Sequence, residues 1–135
     1  MDLLRLAHLT GKDELRKAAE RALRAFGGDL RRNPTGHACM LAGMDILVNG
    51  AREVVVTAGA PADAEPFVEA AYGRFSPDRV LVVGTAANYL ELSKLTPLLE
   101  GRKPGAKPLA YVCVDGACGL PAGSPAELAS QLTPG

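Results

Sequence analysis

Apolar residues along the chain change their period near residue 50. Before Gly50 they recur at helical spacing; after it, short β-branched runs alternate with helix-length stretches. Leu3, Leu4, Leu6, Ala7 and Leu9 predict the end of a helix stopped at Thr10-Gly11. Leu15, Ala18, Ala19, Ala22, Leu23, Phe26 and Leu30 form one continuous stripe and predict a single long second helix. Asp13 and Glu14 in its first turn and Arg31 and Arg32 at its end both suit the helix dipole. Asn33-Pro34 reads as an N-cap followed by proline at the first helical position. Leu41, Met44, Leu47 and Val48 then line a third helix that ends at Asn49-Gly50. Two of these helices make a hairpin, and three cannot close a bundle, so their apolar faces need another partner.

Beyond Gly50, Glu53–Thr57 and Arg79–Gly84 have the composition of buried strands. Between them Pro61 opens a helix with Phe67, Val68, Ala71 and Phe75 inward, so the two strands are predicted to be parallel with a right-handed crossover. Residues 88–100 are weakly helical, with Leu92, Leu95, Leu98 and Leu99 apolar and Pro97 interrupting. Gly101–Pro108 is a basic loop rich in glycine and proline, and Leu109–Val114 a third strand. Ser124-Pro125-Ala126-Glu127 is a capping box that opens a short last helix running towards Leu132. The predicted class is α/β: an N-terminal helical hairpin of two to three helices (residues 1–50), then a small three-stranded βαβ-type sheet with flanking helices (residues 51–135).

Composition narrows the function classes. With 15 basic and 15 acidic side chains among 135 residues, there is no charge excess to attract nucleic acid or an anionic membrane. A 47% hydrophobic content excludes disorder, and the longest apolar runs, such as Val80–Val83, are far too short to span a bilayer. Met1–Arg5 has no secretory pattern, and three cysteines are too few for a disulfide framework, so the expected setting is the cytoplasm.

Candidate chemistry is sparse. Cys113 and Cys118 lie five apart across an Asp115-Gly116 turn that can bring their sulfurs within bonding distance, so they are the redox candidates. The bland alternative, structural or incidental thiols, is the more economical one, because the spacing is not Cys-x-x-Cys and no helix N-terminus follows at once. A zinc site would have to recruit His8, His37 or Cys39 from the helical half, so no metal is assigned. His37 and Cys39 point about 200° apart on a helix, which rules against a nucleophile pair and favours Cys39 as a small buried residue. Cys118 is therefore expected to react with thiol reagents faster than Cys39. Gly59-Ala60, between the first strand and the Pro61 helix, is where an anion could meet a helix N-terminus, although the residues read more simply as a strand-to-helix turn without a dinucleotide fingerprint. A weaker idea is a small ligand at the C-terminal edge of the parallel strands. No residue is assigned a catalytic role and no cofactor is implied.

The run Leu109-Ala110-Tyr111-Val112-Cys113-Val114-Asp115-Gly116-Ala117-Cys118-Gly119-Leu120-Pro121, followed by Ser124-Pro125-Ala126-Glu127-Leu128, resembles the C-terminus of thioredoxin-domain proteins related to spermatogenesis-associated protein 20. Leu3–Gly11, the Ala/Arg-rich helix, Met40–Asp45 and Arg52–Val56 agree, so the resemblance covers essentially the whole chain. It implies the last helices of an α/α toroid joined to a small α/β portion. The family's thioredoxin-like domain and toroid cavity have no counterpart here, so it transfers no catalytic residue. Met1 then reads as the start of a truncated or split gene, or of a cloned fragment. On this reading the chain is a non-catalytic structural or interaction module, with a thiol-redox role through Cys113 and Cys118 as the alternative. Its expected partners are the family's other domains or, through residues 1–48, a second copy of itself, with neither nucleic acid nor a membrane involved.

Overall fold

A computed structural model describes residues 1–133. Four helices precede the sheet: α1 (Asp2–Thr10), α2 (Asp13–Ala25), α3 (Gly27–Arg32) and α4 (Ala38–Asn49). Then come β1 (Arg52–Ala58), α5 (Pro61–Tyr72), β2 (Arg79–Thr85), α6 (Tyr89–Leu95), β3 (Leu109–Val114), β4 (Ala117–Cys118) and α7 (Pro125–Gln131). The sheet has four strands in the order β2-β1-β3-β4 rather than three. β1 and β2 pair in parallel across α5, while β3 lies antiparallel to β1 and β4 antiparallel to β3. A continuous apolar run shows that a strand is covered on both faces but not which way it runs, so the antiparallel third strand carried no sequence signal.

β1 is the centre of the molecule. Val54, Val55 and Val56 are fully buried because alternate side chains enter opposite layers. Val54, Val56 and Ala58 pack with Phe67, Ala71 and Ala64 of α5 and Leu128 of α7. Val55 packs on the other face with Val82 and Leu99. Leu4, Ala19 and Ile46 of the helical segment join Ala51 and Val80 in a third cluster, so helices and sheet share core across residue 50. Gly84 belongs to this tight packing, since a Cβ there would stand 2.9 Å from Leu99 Cδ2.

Local signals explain most element ends. Gly11 closes α1 in the left-handed conformation at φ 68°, with its N–H returned to the Ala7 carbonyl. Ser124 Oγ accepts the Glu127 amide at 3.2 Å, and Glu127 Oε2 accepts the Gly123 amide at 2.7 Å, completing a capping box displaced by one residue. Pro97 starts a 3-10 turn (Pro97–Leu99) that ends the helical run of α6. Asn33 Oδ1 accepts the Gly36 amide at 3.1 Å, but the segment it caps first makes a 3-10 turn, Thr35–His37, before α4.

Three expectations fail. The long second helix breaks at Phe26, where Gly27-Gly28 offers weak helix propensity and α3 starts afresh. The third helix buries Gly43 and Ile46, whereas Leu41, Met44 and Val48 face outward, Val48 at 77% exposure. Phe75 lies beyond the end of α5 and is 95% exposed, because the helical phase that would turn it inward stops at Tyr72.

Candidate functional site

The β3–β4 hairpin is built around Asp115 and Gly116, at φ 49° and 80°, a two-residue turn with both central residues left-handed. That turn matches the twist of the flanking strands. It sets Cys113 directly opposite Cys118. The neighbouring pair is hydrogen-bonded, Gly119 N donating to Val112 O at 3.0 Å, so Cys113 and Cys118 occupy the closer, non-hydrogen-bonded position. Their Cα atoms are 4.0 Å apart and their sulfurs are joined in a disulfide. The economical expectation of free thiols at these two positions is thus overturned, and the cause is strand register rather than a helix terminus.

The two sulfurs differ in access. Cys113 is 2% exposed, whereas Cys118 belongs to a strand open to solvent. Arg102, from the Gly101–Pro108 loop, spans the pair: its Nη2 lies 3.4 Å from Cys113 Sγ and 3.1 Å from Cys118 Sγ. Its Nη1 donates to the Leu98 carbonyl, and its guanidinium stands 5.2 Å from the centre of the Tyr111 ring. Glu53 is the cross-strand partner of Cys113 on β1, on the same face, and its Oε1 is 2.9 Å from His8 Nδ1 of α1. A fixed cation over two joined sulfurs would stabilise a thiolate once formed, whereas the Glu53 carboxylate on the same face would oppose it. Arg102 carried no signal beyond the basic character of its loop. It lies 11 residues from Cys113 and becomes its neighbour only through the fold.

The other candidates are placed apart from this corner. Cys39 is free and exposed, not buried, so the expected order of thiol reactivity reverses: Cys39 is available and Cys118 is bonded. Cys39 shares a helix face with the buried Gly43 and Ile46, but it stands in the first turn of α4 and stays exposed there. His37 Nδ1 is engaged at 2.9 Å with the Asn33 carbonyl oxygen. Among the described residues, no group of three or more His, Cys, Asp or Glu side chains could hold a metal ion. Gly59-Ala60 forms the turn into α5, with Asp63 in that helix's first turn and the Gly105 carbonyl 3.4 Å from where a Gly59 Cβ would stand. Among the described residues, no helix is long and apolar enough to cross a membrane.

A second feature lies on the helical segment. Leu23, Leu30, Leu41, Met44 and Val48 wall an apolar groove of about 580 Å³ between α2–α3 and α4, rimmed by Glu20, Arg24 and Arg31. Phe26, half exposed, lies on α2's junction with α3.

Comparison with known proteins shows 27% identity over 135 residues to human spermatogenesis-associated protein 20, covering 98% of this chain. The chain spans only 17% of that relative's length. The identity supports a distant relationship. No protein-family model matches the chain. No solved structure matches it.

Proposed function

We propose that the chain is a non-catalytic interaction module whose helical segment pairs with a second copy of itself. The observation that carries this is the apolar groove between α2–α3 and α4, with Leu41, Met44 and Val48 all exposed along it. Soluble proteins rarely leave a contiguous apolar surface of this kind uncovered. The rim favours a copy over an arbitrary partner: it carries both signs, so a two-fold axis can set Glu20 of one copy against Arg24 or Arg31 of the other. In the resembling family the same stripe would rest on further toroid helices. The test is sedimentation of the full chain across the micromolar range, with Met44→Asp as the comparison. A dimer that Met44→Asp disperses supports the reading. A monomer at all concentrations would assign the surface instead to other parts of a longer polypeptide.

A second reading rests on Arg102 bridging both sulfurs: thiol–disulfide exchange at Cys113–Cys118. An incoming thiolate attacks the open Cys118 sulfur, the S–S bond breaks, and its electron pair leaves on Cys113 beside the Arg102 guanidinium. A second thiolate then attacks the incoming sulfur, releasing Cys118, so two external thiols become one disulfide and both protein sulfurs end as thiols. Thiol titration is expected to find one reactive cysteine before reduction and three after it. In a Cys113→Ser variant oxidised with glutathione, the adduct is expected on Cys118. Three free thiols in protein isolated without reductant would sink this reading.

A further inference from the structure

Arg52 and Arg79 open the two parallel strands and are register partners, so two guanidinium side chains start from adjacent positions on one face of the sheet. Arg74, between α5 and β2, joins them in a cavity of about 320 Å³ completed by Phe75, Ser76 and Leu132. A neighbouring cavity of about 350 Å³ shares Arg74, Phe75, Ser76 and Arg79 and adds Arg5 of α1. Among the described residues, none lining either cavity is acidic. The nearby carboxylate, Asp78, accepts a hydrogen bond from Ser76 Oγ.

The arginines are held rather than loose. Arg79 is 8% exposed, donates from Nη2 to the Arg74 carbonyl at 2.9 Å, and stands 5.7 Å from the centre of the Tyr72 ring. Arg52 Nη1 donates to the Leu132 carbonyl at 3.0 Å, and Arg5 Nη2 to the Pro77 carbonyl at 2.7 Å. Among the described residues, the buried Nε atoms of Arg79 and Arg5 have no hydrogen-bond partner. Burial pulls Arg79 below the ordinary guanidinium range, Arg52 pushes the same way, and Asp78 opposes them. Like charges converging with donors to spare are costly, and a bound anion removes that cost.

We infer that this arginine-lined pocket, at the start of the parallel strands, binds a phosphate monoester. Three guanidinium groups offer more N–H donors than the two oxygens of a carboxylate can accept, while a tetrahedral dianion can use them. Phe75 and Tyr72, both largely exposed beside the pocket, offer apolar cover to the body of the ester. The site is independent of the groove and of the disulfide.

The probes are inorganic phosphate and phenyl phosphate, titrated calorimetrically into the full chain against sodium chloride at matched ionic strength. Both are expected to bind, phenyl phosphate more tightly. Arg74→Gln, at an exposed position, is expected to weaken both by about tenfold, the loss of one charge-assisted hydrogen bond. Its melting temperature without phosphate should stay unchanged. Lys103→Gln, outside the pocket, should leave both affinities alone. Phe75→Ala should remove the preference for phenyl phosphate. No heat beyond the chloride control, or equal weakening by Arg74→Gln and Lys103→Gln, would overturn the inference. Equal affinity for the two probes would overturn the part given to Phe75 and Tyr72.

Discussion

The helices α5 and α7 and the helices α2 and α4 all carry apolar side chains at helical spacing, yet they meet opposite fates. Under α5 and α7 the sheet supplies a matching apolar face, and Phe67, Ala71 and Leu128 are buried against Val54 and Val56. The stripe shared by α2 and α4 divides: Ala19 and Ile46 reach the sheet side, whereas Leu41, Met44 and Val48 stay in solvent. The difference teaches that helical periodicity records a face selected for burial without stating what buries it. Where the chain contains the covering layer, the stripe becomes core. Where it does not, the stripe becomes a groove, and the helix turns the face of Gly43 and Ile46 inward instead.

The sharpest way to break this comparison is truncation on each side of it. Phe67→Ala removes a ring from the filled layer and is expected to destabilise the fold by about 3–5 kcal/mol, read as a lower urea midpoint. Met44→Ala, on the groove, is expected to change stability by less than about 1 kcal/mol. Equal losses at the two positions would mean that the groove is folded shut in solution. Gly84→Ala tests how rigid the filled side is. Its Cβ would stand 2.9 Å from Leu99 Cδ2, and overpacking of that kind costs about 1–3 kcal/mol, measurable by thermal unfolding. A neutral result would show that Leu99 can move aside. The smallest effect concerns the cap that orients α7 on the sheet. Ser124→Ala loses the bond to the Glu127 amide and is expected to cost about 1 kcal/mol, while Ser124→Asp should retain most of the stability.

Local chemistry made parts of this fold legible. The Asp115-Gly116 turn and the Ser124 cap each follow from a few adjacent residues whose backbone preferences agree with the final structure, and the parallel β1–β2 pair from the strand–helix–strand order. Exposure of Cys39 and Phe75 did not, because each depends on where a helix ends or which of its faces finds the sheet. The candidate site divides in the same way. The spacing of Cys113 and Cys118 around a tight turn left a bond open only as the less economical reading, and strand register decided in its favour. Arg102 was invisible, since no period links a loop residue to a strand 11 positions later. The arginine pocket was hidden more thoroughly still. A chain with equal numbers of acids and bases can gather Arg52, Arg74 and Arg79 at one spot while its net charge stays at zero.

The outer margin of β3 bears on how partners can approach. An open strand margin is a template for incoming chains. Here the first part of the strand is stitched to Ala122 by two backbone bonds, Ala110 N to Ala122 O at 2.9 Å and Ala122 N to Ala110 O at 2.8 Å. Its last part is covered by β4, a strand of only two residues, which the disulfide fastens in place. Both ends of the ladder are therefore spoken for by the chain itself, and the segment between Gly119 and Ala122 crosses the gap. A guest strand finds no run of free amides along which to zip. Recognition by strand addition is discouraged on this side of the molecule, where a neighbour meets side chains rather than backbone.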